Sequence, residues 1–376
     1  MLYLDHAAGG PVRREVLEAM APFLTGRFGN PSSVHTVGED VARALDDARR
    51  RAAAVLGVRA GDVVFTSGGT EANNLAIAGI ALGARGRSPG HIVTTAVEHD
   101  SVLAVCHYLQ RMHGYAIDVL PVDSSGRVSP DAVAGALRDD TAVVSVGYAN
   151  NEVGTVQDVA AIARAAGAVP AHVDAVQAAG WLPLAGTGAS ALSIAGHKIG
   201  APQGIGLLAV RGRIPLEPVL HGGGQERGRR SGTQNVAGAV GLAVALELAE
   251  RERPAAAARA AAAREAFTSR VLDTVPGARV TGDPDLRLPG LASFTFTATS
   301  GEAVLLELER RGIVTSSGSA CAAGSDEPSH VLIAMGRDAD DARTAVRFSF
   351  DRAAPPDASE LARAVADAVS AVRSGS

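Results

Sequence analysis

The sequence is poor in the two residue types that most often do covalent chemistry. It holds two cysteines, Cys106 and Cys321, and among 35 basic residues a single lysine, Lys198. Two cysteines are too few for a disulfide framework, so the natural setting is a reducing cytoplasm. Basic charge is not in excess either: the net charge is −5. That excludes binding to duplex nucleic acid by bulk phosphate neutralisation, and leaves only a local patch at Arg227, Arg229 and Arg230. No apolar run approaches the ~20 residues of a membrane helix, so no membrane span is expected. The start, Met1-Leu2-Tyr3-Leu4-Asp5-His6, lacks the basic-then-apolar pattern of a secretory signal. Histidines are scattered, and neither His-Glu-x-x-His nor Cys-x-x-Cys occurs, so no resident metal centre is expected.

What remains is a chain of 376 residues, 47% hydrophobic and 20% charged, able to bury a large core. Between Val63 and Val210, β-prone runs alternate with helical ones. Strands are expected at 63–66, 91–95, 116–120, 141–146 and 171–173, with helices at 70–82, 101–112 and 158–166. Such alternation predicts an α/β fold with a mostly parallel sheet covered on both faces. A helix from Val236 is expected to break at Pro254, followed by an alanine–arginine helix over 255–267. Beyond it, strands near 291–296 and 345–350 and helices near 302–311 and 358–372 predict a smaller α+β unit. The expected division is a large domain at 14–254 and a small one made of 1–13 and 255–376.

The lone lysine sits in Ser193-Ile194-Ala195-Gly196-His197-Lys198-Ile199-Gly200, after a short apolar strand and inside a glycine-bounded turn. Elsewhere this chain uses arginine for its basic charge. Arginine cannot form an imine, because its guanidinium stays protonated (pKa above ~12), whereas a desolvated lysine can lose its proton. Two other runs bear on this one. Phe65-Thr66-Ser67-Gly68-Gly69-Thr70-Glu71 ends a strand in two glycines and opens a helix. Read alone it is either an ordinary cap with Thr70, Asn73 and Asn74 at the surface, or a turn whose free N–H groups take a phosphate. His172-Val173-Asp174-Ala175 puts a carboxylate at the end of a buried strand, either as a helix cap or as the partner of a protonated ring nitrogen. A phosphate grip, a ring-nitrogen partner and an amine, each at a strand end, together point to pyridoxal phosphate.

These runs resemble the class V, fold-type I pyridoxal-phosphate enzymes, and specifically the cysteine desulfurases of the NifS and IscS type. The likeness extends from Tyr3-Leu4-Asp5 to Arg347. Its most specific pieces are Phe28-Gly29-Asn30-Pro31-Ser32-Ser33, Thr66 to Glu71, Glu98-His99, Asn150-Asn151-Glu152-Val153-Gly154, Gly196-His197-Lys198 and Arg230-Ser231-Gly232-Thr233. The resemblance implies that Lys198 bonds to the cofactor and shuttles protons. It implies that His99 stacks on the ring, Asp174 faces the ring nitrogen, and Gln177 and Asn151 contact the ring hydroxyl region. Gly69, Thr70 and His197 would hold the phosphate, with Thr233 reaching it from the neighbouring subunit of a homodimer. Arg347, with Asn30, would take the substrate carboxylate. Ala195 departs from the serine common just before Gly-His-Lys, which implies one phosphate contact fewer.

Ser316-Ser317-Gly318-Ser319-Ala320-Cys321-Ala322-Ala323-Gly324-Ser325 contains no large side chain to anchor it in a core, so a loop at about 315–327 is expected. A cysteine there is read as a reactive thiol, whereas Cys106, on an apolar helix, is read as structural. The resemblance implies conversion of L-cysteine to L-alanine, with the sulfur taken by Cys321 as a persulfide. Acceptors would be partner proteins such as an iron–sulfur scaffold or a thiolation enzyme, and Cys321 would be able to serve as a transient iron–sulfur ligand. A selenocysteine lyase or another class V enzyme is the alternative.

Overall fold

The computed structural model describes residues 1–84, 90–212, 214–318 and 327–375; Cys321 and most of its expected loop lie outside them. In chain order the elements are β1 (Leu2–Tyr3), α1 (Arg14–Leu24), α2 (Thr36–Leu56), β2 (Val63–Thr66), α3 (Gly69–Gly83), β3 (His91–Thr95), α4 (Asp100–His113), β4 (Ala116–Leu120), α5 (Pro130–Ala136), β5 (Thr141–Gly147), α6 (Val159–Ala166), β6 (Ala171–Asp174), β7 (Ala191–Ala195) and β8 (Gly206–Val210). There follow α7 (Val236–Thr274), β9 (Ala278–Val280), β10 (Leu291–Phe296), α8 (Gly301–Arg310), β11 (Ile313–Val314), α9 (His330–Ala334), α10 (Ala339–Ala342), β12 (Val346–Ser349) and α11 (Ala358–Gly375).

Seven strands form the main sheet in the order β2-β8-β7-β6-β5-β3-β4. The four pairs from β7 to β4 are parallel, and β8 runs antiparallel to both its neighbours. β2 therefore points the same way as β7, and β2, β3, β5, β6 and β7 all end on one edge. The central strands are covered on both faces, and so are strands β2 and β8: Val63, Val64 and Phe65 of β2 are all buried, as is every residue of β8, whereas edge strand β4 is mostly half-buried. One polar ladder runs through this core. His172 lies between Ser145 and Ser193, both at 2.9 Å, and ties β5, β6 and β7 in register. Burial pushes its imidazole down to about 3, so it is a neutral core histidine.

Sheet edge strand β2 is closed by side chains. Phe65 N donates to Glu226 Oε2 (3.0 Å), and Val63 O accepts from Arg49 Nη1 (2.7 Å). Arg49 and Glu226 also pair bidentately, at 2.6 and 2.8 Å, and both are buried. Edge N–H and C=O groups that would otherwise be open for pairing are thereby occupied.

The expected break at Pro254 does not occur. α7 runs unbroken for 39 residues with Pro254 inside it. A proline there removes one hydrogen bond and crowds the preceding turn, at a cost of ~3 kcal/mol. Packing at both ends outweighs that: Val236 to Ala249 belong to the core beneath the main sheet, and Phe267 and Val271 to a second core. The intervening alanines are strong helix formers and keep the join helical. Phe267 meets Phe294 and Phe348 edge-on, with centroids 5.6 and 5.1 Å apart, against the antiparallel sheet β12-β10-β9. Leu4 is buried in that second core, and Asp5 bridges to Ser349 of β12. From there residues 6–10 pass over the strand ends of the main sheet.

Candidate active site

The common edge of β2, β3, β5, β6 and β7 opens on a cleft of about 1150 Å³. The ends of β7, β2, β6 and β3 deliver chemical groups to it, as expected for open parallel sheets. β7 ends in the turn Gly196–Lys198. Gly196 fits there because a Cβ would lie 2.9 Å from Ile205 O. Lys198 Nζ donates to Ala7 O (2.5 Å) and Ala8 O (3.0 Å), so the N-terminal strap holds the amine over the cleft. His197 beside it is pushed down to about 4 by burial and by the Lys198 charge, and is neutral near pH 7.

β2 delivers the start of α3. Its N-cap is Gly68, and no side chain caps it. The N–H groups of that first turn are therefore available to an anion, and Gly69 and Thr70 line the cleft. β6 delivers Asp174, whose Oδ1 accepts from Val176 N (3.0 Å) and whose Oδ2 accepts from Asn73 Nδ2 (2.7 Å). β3 delivers Glu98 and His99. Gln177 anchors to the strap through Nε2 on Ala7 O (2.9 Å).

Two residues not assigned a role from the sequence complete this geometry. Asn73, which the helix-cap reading puts at the surface, is buried in the cleft wall. Its Nδ2 donates both to Asp174 and to Ser101 Oγ (2.9 Å), and Ser101 Oγ lies 2.8 Å from His99 Nδ1. Having accepted from Asn73, the Ser101 hydroxyl is oriented to donate to Nδ1, which also accepts from Ser101 N (3.1 Å). Nδ1 is thus an acceptor, and the neutral imidazole carries its proton on Nε2. A continuous chain of hydrogen bonds joins Asp174 to His99. The spacing held a signal: Asn73 lies four residues after Gly69, on the same helix face.

Glu98 is fully buried and accepts from Thr95 Oγ1 (2.6 Å). Burial, reinforced by the Asp174 charge, pushes its carboxyl up to about 7. The folded protein therefore keeps a proton that the unfolded chain releases as pH rises above the ordinary carboxylate value of about 4.5. Stability from this group is complete at low pH and is lost as pH rises from 4.5 to 7. Between pH 5 and pH 8 the wild-type chain is expected to lose about 2 kcal/mol relative to Glu98→Gln, measured by urea unfolding. Parallel pH profiles for the two proteins would refute this.

Arg347, on β12, is buried at the cleft wall. Its Nη1 donates to Asn151 O (2.8 Å) and Gly318 O (3.2 Å), and its Nη2 pairs with Asp5 Oδ1 (2.5 Å). Its Nε is buried and has no hydrogen-bond partner among the described residues. The structure does not bring Asn30 to it. Asn30 is exposed between α1 and α2, does not line the cleft, and turns its Oδ1 back onto Ser32 N (2.9 Å). Thr233 is likewise exposed and outside the cleft of its own chain. Lys198, His99, Asp174, Gln177, Asn151, His197, Gly69, Thr70 and Arg347 all line it. Ala195 is fully buried in its wall.

A mostly parallel sheet with an amine, a carboxylate, an imidazole and an uncapped helix start around one cleft defines an α/β enzyme built to hold an anionic cofactor. The model of the aminotransferase class-V family matches residues 2–358, and the chain belongs to that family. It is 45% identical to a putative cysteine desulfurase IscS 1 of Bacillus subtilis (strain 168), over 93% of each chain. A solved NifS-like protein superposes with a TM-score of 0.90 at 34% identity, covering 98% of this chain and 99% of that one. A structure of SspA in complex with cysteine gives 0.81 at 34% identity, covering 95% and 99%. The family implies use of pyridoxal phosphate. Among the described residues no helix is long and apolar enough to cross a membrane, and no cluster of metal-binding side chains occurs.

Proposed function

We propose that this chain is a cysteine desulfurase that binds pyridoxal 5'-phosphate on Lys198, converts L-cysteine to L-alanine and passes the sulfur to Cys321. The observation that carries the reading is the meeting of the only lysine with Asp174 and the open first turn of α3 in one cleft. The donor set suits the cofactor. Gly69, Thr70 and neutral His197 would hold the phosphate, Asp174 the ring nitrogen, and Gln177 and Asn151 the ring hydroxyl side. His99 would cover the ring. What the cofactor supplies when bound is an electron sink that draws charge from the substrate's α-carbon and weakens its carbon–sulfur bond.

The chain's own groups do the rest. Lys198 takes and returns the proton at the α-carbon, and Ala7 and Ala8 hold its amine in place. His99, with Nε2 protonated by the Asn73–Ser101 chain, has a proton available at the cleft side of the reaction. Arg347, whose guanidinium lines the cleft wall, would receive the substrate carboxylate. The Cys321 thiolate attacks the substrate sulfur; the sulfur–sulfur bond forms as the carbon–sulfur bond breaks. The carbon keeps the bonding pair and gains a proton, giving alanine and a Cys321 persulfide. Acceptor proteins, including an iron–sulfur scaffold or a thiolation enzyme, would take that sulfur.

A homodimer accounts for Thr233, which is exposed outside its own cleft and would complete a neighbour's. The exposed apolar side chains Leu17, Leu24 and Phe28 are further surface available to an interface between copies. The reading is tested by borohydride reduction of the purified holoprotein followed by peptide mass analysis. A pyridoxyl adduct on the Lys198 peptide is expected; its absence there removes the reading.

A further inference from the structure

Glu71 places a carboxylate in the first turn of α3, the turn whose uncapped N–H groups face the cleft. Any anion received there meets a like charge close by. The structure holds that carboxylate on two sides. Glu71 Oε2 accepts from Ser67 N (2.7 Å), closing the turn between β2 and α3. Arg230 then grips it side-on, Nε to Oε1 at 2.8 Å and Nη2 to Oε2 at 3.2 Å. The pair is mostly shielded, with side-chain exposures of 19% for Arg230 and 13% for Glu71. Arg227 and Arg229, the other members of the basic patch, are engaged elsewhere, on Val63 O and Gly61 O. The loop that carries Arg230 is itself fixed to β2 by the buried Glu226–Arg49 pair and the Phe65 amide.

We infer that Arg230 is a positioning residue for cofactor binding: by neutralising Glu71 and fixing it on Ser67 N, it makes the first turn of α3 able to accept a phosphate dianion. The inference rests on the cofactor reading above and adds a residue that does not itself line the cleft. It also ties two sites together, since Arg230 supports the cradle of its own chain while Thr233, three residues on, is assigned to the neighbour's.

The test is titration of the full-length apoprotein with pyridoxal 5'-phosphate, followed by absorbance and fluorescence, with the thermal midpoint of each apo variant as a folding control. Arg230→Gln is expected to raise the cofactor's dissociation constant about 10-fold or more, with Arg230→Lys falling between it and the wild type. The double variant Glu71→Gln/Arg230→Gln is expected to return to within about 3-fold of the wild type, because the offending charge is gone. A defect from a loosened loop would persist in that double variant, which lacks the same salt bridge, whereas a charge effect disappears. Wild-type affinity in Arg230→Gln, or no recovery in the double variant, overturns the inference. Failure of the wild-type chain to bind the cofactor at all would instead strike the reading beneath it.

Discussion

Lys198→Ala is expected to abolish alanine formation from cysteine, lowering turnover by at least ~1000-fold, the range lost when a positioned proton-transfer group and covalent anchor disappear together. No second lysine exists to take its place. Lys198→Arg is expected to be as inactive as the alanine variant, although it restores the charge, because a guanidinium neither forms an imine nor releases its proton near neutral pH. Cofactor is expected to remain as a dissociable ligand, held by Asp174 and the first turn of α3, and to be lost on desalting. Some stability should go too, about 1 kcal/mol, as the bonds from the amine to Ala7 O and Ala8 O are lost; Ala7 O keeps the Gln177 amide and Ala8 O is exposed to water. Cysteine turnover, cofactor retention after gel filtration and urea unfolding measure the three effects. Activity within tenfold of the wild type in either variant would remove Lys198 from the centre of the chemistry.

Much of the arrangement was legible because it is written in short-range patterns. Strands such as His91–Thr95, Ala116–Leu120 and Leu291–Phe296 fall where their β-branched and apolar runs put them, and their alternation with helices carries the parallel sheet. The strand-end rule brings Asp174, Lys198 and the Gly68-Gly69 turn to one edge of that sheet. What did not read out depends on partners distant in sequence. Pro254 is a local signal for a break, and only packing of the two halves of α7 against different cores overrides it. The spacing of Asn73 from Gly69 puts it on the cleft face of α3, but its partners Ser101 and Asp174 lie 28 and 101 residues away, beyond the reach of any local pattern. Arg347 pairs with Asp5, 342 residues away, and that contact follows from β12 lying beside the N-terminal segment. Asn30 lies outside the cleft of its own chain, where its side chain accepts locally from Ser32 N.

Cys321→Ala is expected to keep the bound cofactor and its absorbance unchanged while sulfide released from cysteine in the presence of a thiol reductant falls about 100-fold or more, because the proposed role of the thiol is that of nucleophile, not of cofactor ligand. The other cysteine cannot substitute. Cys106 is buried on α4, and burial pushes its thiol up to about 12, so almost none of it is thiolate at neutral pH. Cys106→Ala is accordingly expected to leave turnover within about 2-fold and to cost roughly 1 kcal/mol through the small cavity it creates. The two variants separate the roles cleanly when a single turnover is run with labelled cysteine and no reductant. The added sulfur should be found on the peptide containing Cys321 in the wild type and in Cys106→Ala, and on no peptide in Cys321→Ala. Alanine released at full rate by Cys321→Ala would mean that the thiol of a second cysteine molecule takes the sulfur as its own persulfide, and Cys321 would then lose its assigned role.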